Sequence, residues 1–268
     1  MTVAAIQMTS GAEVADNLAT ARRLLAEAAA AGAQVAVLPE NFALMARRDV
    51  ERRAAAEPHG DGPIQSMLAA TARAHGLWVV GGTVPLQAPG EMRVAAASLV
   101  YDAAGREVAR YDKIHLFDVD VPGRSESHRE SSGIRAGTEV VTVDTPVGRL
   151  GLAVCYDMRF PELFRRMSAE GATWFTLPSA FTVPTGRAHW EVLLRARATE
   201  NLCGVVAAAQ SGFHPNGRET WGDSLIVDHW GRVLARLPRG EGVVTARFDR
   251  EAQRAARAAF PALSHRVL

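Results

Sequence analysis

The chain has 268 residues, 48% hydrophobic and 22% charged, with 30 basic against 29 acidic side chains and a formal net charge of +1. A chain of that length can bury about three quarters of its unfolded surface in a large α/β core. So even a charge balance excludes a nucleic-acid binder that relies on a strongly basic domain.

Residues 2–8 alternate as a strand, and a helix of period 3.6 follows over about 13–31, with Leu18, Ala21, Leu24, Leu25 and Ala28 on one face and Gly32 as its stop. Val35-Ala36-Val37-Leu38 predicts a short buried strand that ends at Pro39-Glu40. A second helix over about 63–75 leads through Gly76 into a strand over 77–80. From residue 94 the texture becomes strand–turn–strand, with Asp102-Ala103-Ala104-Gly105 and Thr145-Pro146-Val147-Gly148 as the turns. Tight turns force antiparallel neighbours and strand–helix–strand units parallel ones, so the chain predicts mixed sheets. Residues 114–139 show no periodicity and predict a long loop over the site. After Cys155 come a helix, a strand over 173–177, a helix over about 188–201, a strand over 203–209, and a hairpin around 223–228 and 231–236. No repeat and no low-complexity linker interrupts this, so residues 1–268 read as a single domain.

Two cysteines give no disulfide framework and fit a reducing compartment. The N-terminus lacks a basic leader, and no apolar run is long enough to span a bilayer. The expectation is a cytoplasmic protein with no membrane and no nucleic-acid partner. The histidines show no close metal-ligand spacing and no Cys-x-x-Cys occurs, so no metal and no cofactor are expected.

Cys155 ends a strand of small residues and precedes a helix-compatible run, which is where a nucleophile is held exposed with a backbone N–H aimed at a developing oxyanion. A small buried hydrophobe is the competing reading. Cys203, in Leu202-Cys203-Gly204-Val205-Val206, reads as core packing. A catalytic thiol needs a base or a positive field. His115 and His189 are available, but spacing places neither beside Cys155. Glu40 lies at the C-terminal end of a strand, where α/β folds put their sites, and could take the thiol proton and return it. An exposed loop carboxylate is its alternative. Lys113 ends a strand pattern and could stabilise an oxyanion, against the ordinary fate of a surface cation. It is the chain's one lysine beside twenty-nine arginines, as if a compact ammonium were required there.

The order Glu40, Lys113, Cys155, in Leu38-Pro39-Glu40-Asn41-Phe42, Tyr111-Asp112-Lys113-Ile114-His115-Leu116-Phe117 and Val154-Cys155-Tyr156-Asp157-Met158-Arg159-Phe160-Pro161-Glu162, strongly resembles the nitrilase superfamily of carbon–nitrogen hydrolases. The resemblance covers essentially the whole chain. It continues through Ala180-Phe181-Thr182-Val183-Pro184-Thr185-Gly186, Arg195-Ala196-Arg197-Ala198-Thr199-Glu200-Asn201 and Trp221-Gly222-Asp223-Ser224, in wording similar to the Nit branch. It implies an α/β fold of the four-layer α-β-β-α sandwich type with mixed sheets, paired into a homodimer. It implies Glu40 as general base and acid, Lys113 as oxyanion stabiliser, Cys155 as nucleophile and the Tyr156 N–H as second oxyanion donor. A further active-site Glu is expected in the long loop, and Glu130 in Arg129-Glu130-Ser131 fits that place better than Glu126. Phe181 and Thr182 would line the pocket. Arg159 would grip a substrate carboxylate, or else form an ion pair at a helix start, and Glu200 would buttress structure. The implied activity is thioester-mediated hydrolysis of a small linear amide. The wording is closest to the branch members acting on deaminated glutathione. The alternatives are 2-oxoglutaramate, another substrate such as a carbamoyl compound, and a silent binding module.

Overall fold

The computed structural model describes residues 1–120 and 127–267. Its centre is a set of short strands buried on both faces, and the alternation within each strand says what lies on either side. In Thr2–Gln7, Val3 and Ala5 face one apolar cluster while Ala4 and Ile6 face another. Val35 and Val37 divide from Ala36 and Leu38 in the same way. One cluster is filled by the helices Val14–Ala30 and Pro63–His75, through Leu18, Leu24, Leu25 and Leu68. The other takes in Leu150, Leu152, Trp174 and Ile226 of a second sheet.

The first sheet runs Gly242–Arg247, Thr2–Gln7, Val35–Val37, Trp78–Val80, Val94–Tyr101 and Val84–Gln87, with Glu107–Asp112 and Ile134–Arg135 also paired to Val94–Tyr101. Thr2–Gln7, Val35–Val37 and Trp78–Val80 are mutually parallel, and the edge strand Gly242–Arg247 is antiparallel. The second sheet runs Thr142–Thr145, Gly148–Leu152, Trp174–Thr176, Gly204–Ala207, Ser224–Val227 and Val233–Leu237. Its three central members are parallel and its outer pairs antiparallel. Helices Pro161–Ala169 and Val183–Asn201 cover its outer face, where Phe164 meets Phe175 edge-on at 5.0 Å. The layers are therefore helix, sheet, sheet, helix, and the sheets are mixed as expected.

Several elements depart from the sequence reading. Residues 114–139 carry a hairpin, Asp118–Asp120 against Ser127–Arg129, then a tight turn Glu130–Ser132 and the strand Ile134–Arg135. Aperiodic polar strands of two or three residues leave no alternation to detect. Glu126 lies outside the described residues. The helix expected from about 188 begins at Val183, because Pro184 sits in its first turn, where a missing N–H costs nothing. The helices Asp49–Ala54 and Arg250–Ala259, the strands Val84–Gln87 and Gly242–Arg247, and the hairpin Ser211–Phe213 with Glu219–Trp221 were not anticipated.

Candidate active site

Three chain segments meet where parallel strands of the two sheets end. Glu40 follows Val35–Val37 across Pro39, and its backbone is gripped from both sides. The Gln210 side-chain amide donates to the Glu40 carbonyl at 3.1 Å, and the next N–H, of Asn41, donates to Thr83 Oγ1 at 2.8 Å. Asn41 itself is left-handed, with φ +57°. Gly82 allows this approach, since a Cβ there would lie 2.1 Å from the Pro39 carbonyl oxygen.

Cys155 follows Gly148–Leu152 and opens a 3₁₀ turn, Cys155–Arg159. Its φ is +48°, a conformation that L side chains rarely adopt. Such strain persists only where the surroundings impose it. Here the Cys155 N–H donates to the Pro178 carbonyl at 2.9 Å, and the Val154 N–H is taken by the Asp157 carboxylate at 2.8 Å. Tyr156 occupies the first turn, where backbone N–H groups lack acceptors within the helix.

Lys113 follows Glu107–Asp112 and is only 1% exposed. Its ammonium donates to Glu40 Oε1 at 2.8 Å and to both oxygens of Glu130 at 2.9 and 2.8 Å. Glu130 is itself fixed by the Phe117 N–H at 2.6 Å. Burial would lower the lysine's pKa, but the Glu130 and Glu40 carboxylates outweigh it and hold the ammonium above its ordinary value. Burial first, and then the charge of Glu40, push the Cys155 thiol well above its usual range, against the opposing pull of Lys113 and the Ala180 N–H. The thiol therefore rests protonated at neutral pH, in the cavity that the Glu40 carboxylate also lines. Such a group can attack only if a base removes its proton as it does so.

These groups open into a cavity of about 380 Å³. Glu40, Lys113, Glu130, Cys155, Tyr156, Phe181 and Thr182 all line it. Arg159 is not among its lining residues. Its guanidinium lies 5.8 Å from the Tyr156 ring centroid and 5.5 Å from that of Phe181, with a long contact to His189 at 3.3 Å. Glu200 pairs with Arg197, which in turn donates to the Met158 carbonyl, so it steadies the Cys155 turn from behind. His115 bonds to Asp157 and stacks on Phe160, and Cys203 donates to the Ala172 and Asn201 carbonyls, so neither faces the cavity chemistry.

Sequence reasoning passed over two groups of residues. Asp157, fully buried, accepts from the Tyr111 hydroxyl, the Val154 N–H, and the backbone and ring nitrogens of His115. It ties the lysine segment to the cysteine turn, and an acid five residues beyond a strand end was its only signal. Arg47, Arg48, Arg52, Arg129 and Arg218 also line the cavity and add positive charge to it, together with the neutral Asn216. They come from segments with no periodicity to reveal them. Among the described residues no group of His, Cys, Asp or Glu side chains is disposed to hold a metal ion.

Comparison with known proteins agrees with this architecture. The sequence profile described as carbon–nitrogen hydrolase matches residues 2–258. The deaminated glutathione amidase of Yersinia enterocolitica is 41% identical over 98% of this chain and 92% of its own length. The crystal structure of the Caenorhabditis elegans NitFhit protein superposes with a TM-score of 0.91 at 37% identity, covering 99% of this chain and 65% of that one. A glutamate-to-glutamine mutant of the amidase from Nesterenkonia sp. AN1, described as carrying acrylamide added at its active-site cysteine, superposes at 0.80 with 25% identity, over 97% and 98% of the two chains.

Proposed function

The chain belongs to the carbon–nitrogen hydrolase family, and from that premise we propose that it is a cysteine amidase whose substrate is deaminated glutathione. One observation carries the catalytic part. The buried Lys113 ammonium bonds Glu40 and Glu130 at once, in the cavity onto which the protonated Cys155 thiol opens.

Glu40 takes the thiol proton as sulfur attacks the amide carbonyl. The tetrahedral oxyanion is held by the Lys113 ammonium and the Tyr156 N–H, donors fixed in place before the charge develops. Glu40 passes the proton to the departing amine, the C–N bond breaks, and a thioester remains on Cys155. Water then enters, Glu40 removes its proton, and hydroxide attacks the thioester. Collapse releases the acid and returns the proton to sulfur. Glu130 pins the ammonium through both oxygens so that it cannot follow Glu40 as the charge moves.

The substrate class rests on the relatives and on the charge of the cavity. Hydrolysis of deaminated glutathione, whose γ-glutamyl amine is a ketone, would give 2-oxoglutarate and cysteinylglycine. The cavity's acids are already engaged: Glu40 and Glu130 by Lys113, and Asp49 by Arg52 and Ser132. Among the described residues none of the cavity's acids is left to receive the ammonium of glutathione itself. The two free thiols fit a reducing cytoplasm. We also take the working unit to be a homodimer, which sedimentation equilibrium reads directly.

Cys155→Ala should abolish turnover in a folded protein, while Cys203→Ala should keep most of it. Glu40→Gln should slow acylation by a factor on the order of 10² or more, and mass spectrometry of quenched turnovers should find any adduct on Cys155. kcat/KM should be far higher for deaminated glutathione than for glutathione, 2-oxoglutaramate or a nitrile. Activity surviving without Cys155 would overturn the mechanism. Preference for another of these compounds would overturn the substrate alone.

A further inference from the structure

Five arginines line the cavity, and their partners divide them into two groups. Arg48 pairs with Glu51 at 3.5 Å, Arg52 with Asp49 at 2.6 Å and Arg129 with Asp120 at 2.9 Å. Arg47 and Arg218 have no carboxylate partner among the described residues. Among the described residues the Arg218 side chain makes one hydrogen bond, from Nη2 to the Ala180 carbonyl at 2.9 Å, and its buried Nε has no acceptor. A buried guanidinium N–H without an acceptor is costly unless a ligand supplies one.

The position of each follows from its contacts. Ala180 presents its carbonyl to Arg218, and two residues before it the Pro178 carbonyl accepts the Cys155 N–H, so Arg218 is tied to the segment that holds the cysteine, and both side chains line the cavity. Arg218 and Asn216 belong to the tip of the hairpin between Ser211–Phe213 and Glu219–Trp221, and Asn216 reaches across to the Ala46 carbonyl at 3.2 Å. That contact sets the next residue, the exposed Arg47, on the same cavity wall but toward its mouth.

We infer that Arg218 and Arg47 are the residues that recognise the two carboxylates of a dianionic amide. Arg218 takes the acyl-side carboxylate near the thiol, and Arg47 takes the carboxylate at the far end of the leaving peptide. The assignment rests on the amidase reading above. It places acyl recognition on Arg218, which lines the cavity with an N–H lacking an acceptor, whereas Arg159 lies over the Tyr156 and Phe181 rings outside the lining. An Arg fork matches a carboxylate in a bidentate pair, and its charge-assisted bonds are the strong ones.

The test compares Arg218→Gln, Arg218→Lys and Arg47→Gln on three substrates. These are deaminated glutathione, its glycinamide, and the analogue whose oxo-acid carboxylate is a carboxamide. Arg218→Gln should lose roughly 10- to 100-fold in kcat/KM on the first two and little on the third, with Arg218→Lys between it and wild type. Arg47→Gln should lose about 5-fold on deaminated glutathione, mainly in KM, and nothing on the glycinamide. Equal losses with and without the matching carboxylate would overturn the assignment, and this internal ratio holds even if a variant is less stable. Should wild type hydrolyse none of the three, the amidase reading on this substrate fails separately. Arg218 is then read from the protection of Cys155 against iodoacetamide by 2-oxoglutarate. A half-protecting concentration at least about tenfold higher in Arg218→Gln supports the acyl-side role, and an unchanged one overturns it.

Discussion

Asp157 gathers four donors onto two oxygens: Tyr111 and Val154 on one, the backbone and ring of His115 on the other. Three of these donors, from Tyr111 and His115, flank Lys113 within two residues, and the fourth immediately precedes Cys155, so one buried carboxylate sets the ammonium and the sulfur in register. It touches no reacting atom and is a positioning residue. Asp157→Asn must turn an NH₂ toward one pair of donors, and each buried donor left without an acceptor costs about 1–3 kcal/mol. We expect a clear drop in melting temperature and a kcat reduced at least about tenfold with KM little changed, because ground-state contacts to substrate survive. A folded Asp157→Asn enzyme with normal kcat and normal Cys155 alkylation would refute that role. At this scale the sequence was legible where chemistry and motif coincide within a few residues, as at Glu40, Lys113 and Cys155. It was silent where a side chain acts across the fold, because nothing local distinguishes Asp157 from any acid after a strand, or Arg218 among twenty-nine arginines.

The strand Trp78–Val80 contributes to the site through the glycine turn at its end. Gly82, at φ +51°, lets the Pro39 carbonyl come within 2.1 Å of where a Cβ would stand, with the Phe42 ring edge at 3.0 Å. Both clashes fall on the segment that carries Glu40, and the backbone oxygen cannot swing aside as a flexible side chain would. Gly82→Ala therefore has to move Pro39 or abandon its own backbone conformation, a strain of about 1–3 kcal/mol. Either shift carries Glu40 away from Lys113 and the thiol, and a misplacement near 1 Å can cost about 10² in rate. Steady-state kinetics with a melt on the same sample would check this, and undiminished kcat would contradict it. Strands and helices with long apolar periods were legible in the sequence, down to the Pro63–His75 helix and its Gly76 stop. Polar elements of two to six residues were not, and they supply much of the cavity wall, through the segment 127–132 and the hairpin tip at Asn216 and Arg218.

The two sheets share one continuous apolar cluster, from Val3 and Val37 through Leu152 and Trp174 to Ile226. Composition and periodicity called for an α/β chain with mixed sheets; the four-layer stacking came from the resemblance alone, because alternation marks a buried face without naming what covers it. That stacking brings Glu40 and Lys113 from one sheet onto Cys155 from the other. The reacting constellation therefore exists only while the sheets are docked.

Lys113 gives that docking a protease readout. It is the chain's sole lysine, so a lysine-specific endoprotease has a single bond to cut, between Lys113 and Ile114. The cut would divide the chain into a piece bearing Glu40 and a piece bearing Cys155. In the folded protein the side chain is 1% exposed, its N–H is held by Ala96 and its carbonyl by Gly137. Scission therefore has to wait for the site to come apart. The appearance of two fragments of 113 and 155 residues then counts the molecules whose active site has opened, and a bound substrate should slow that clock.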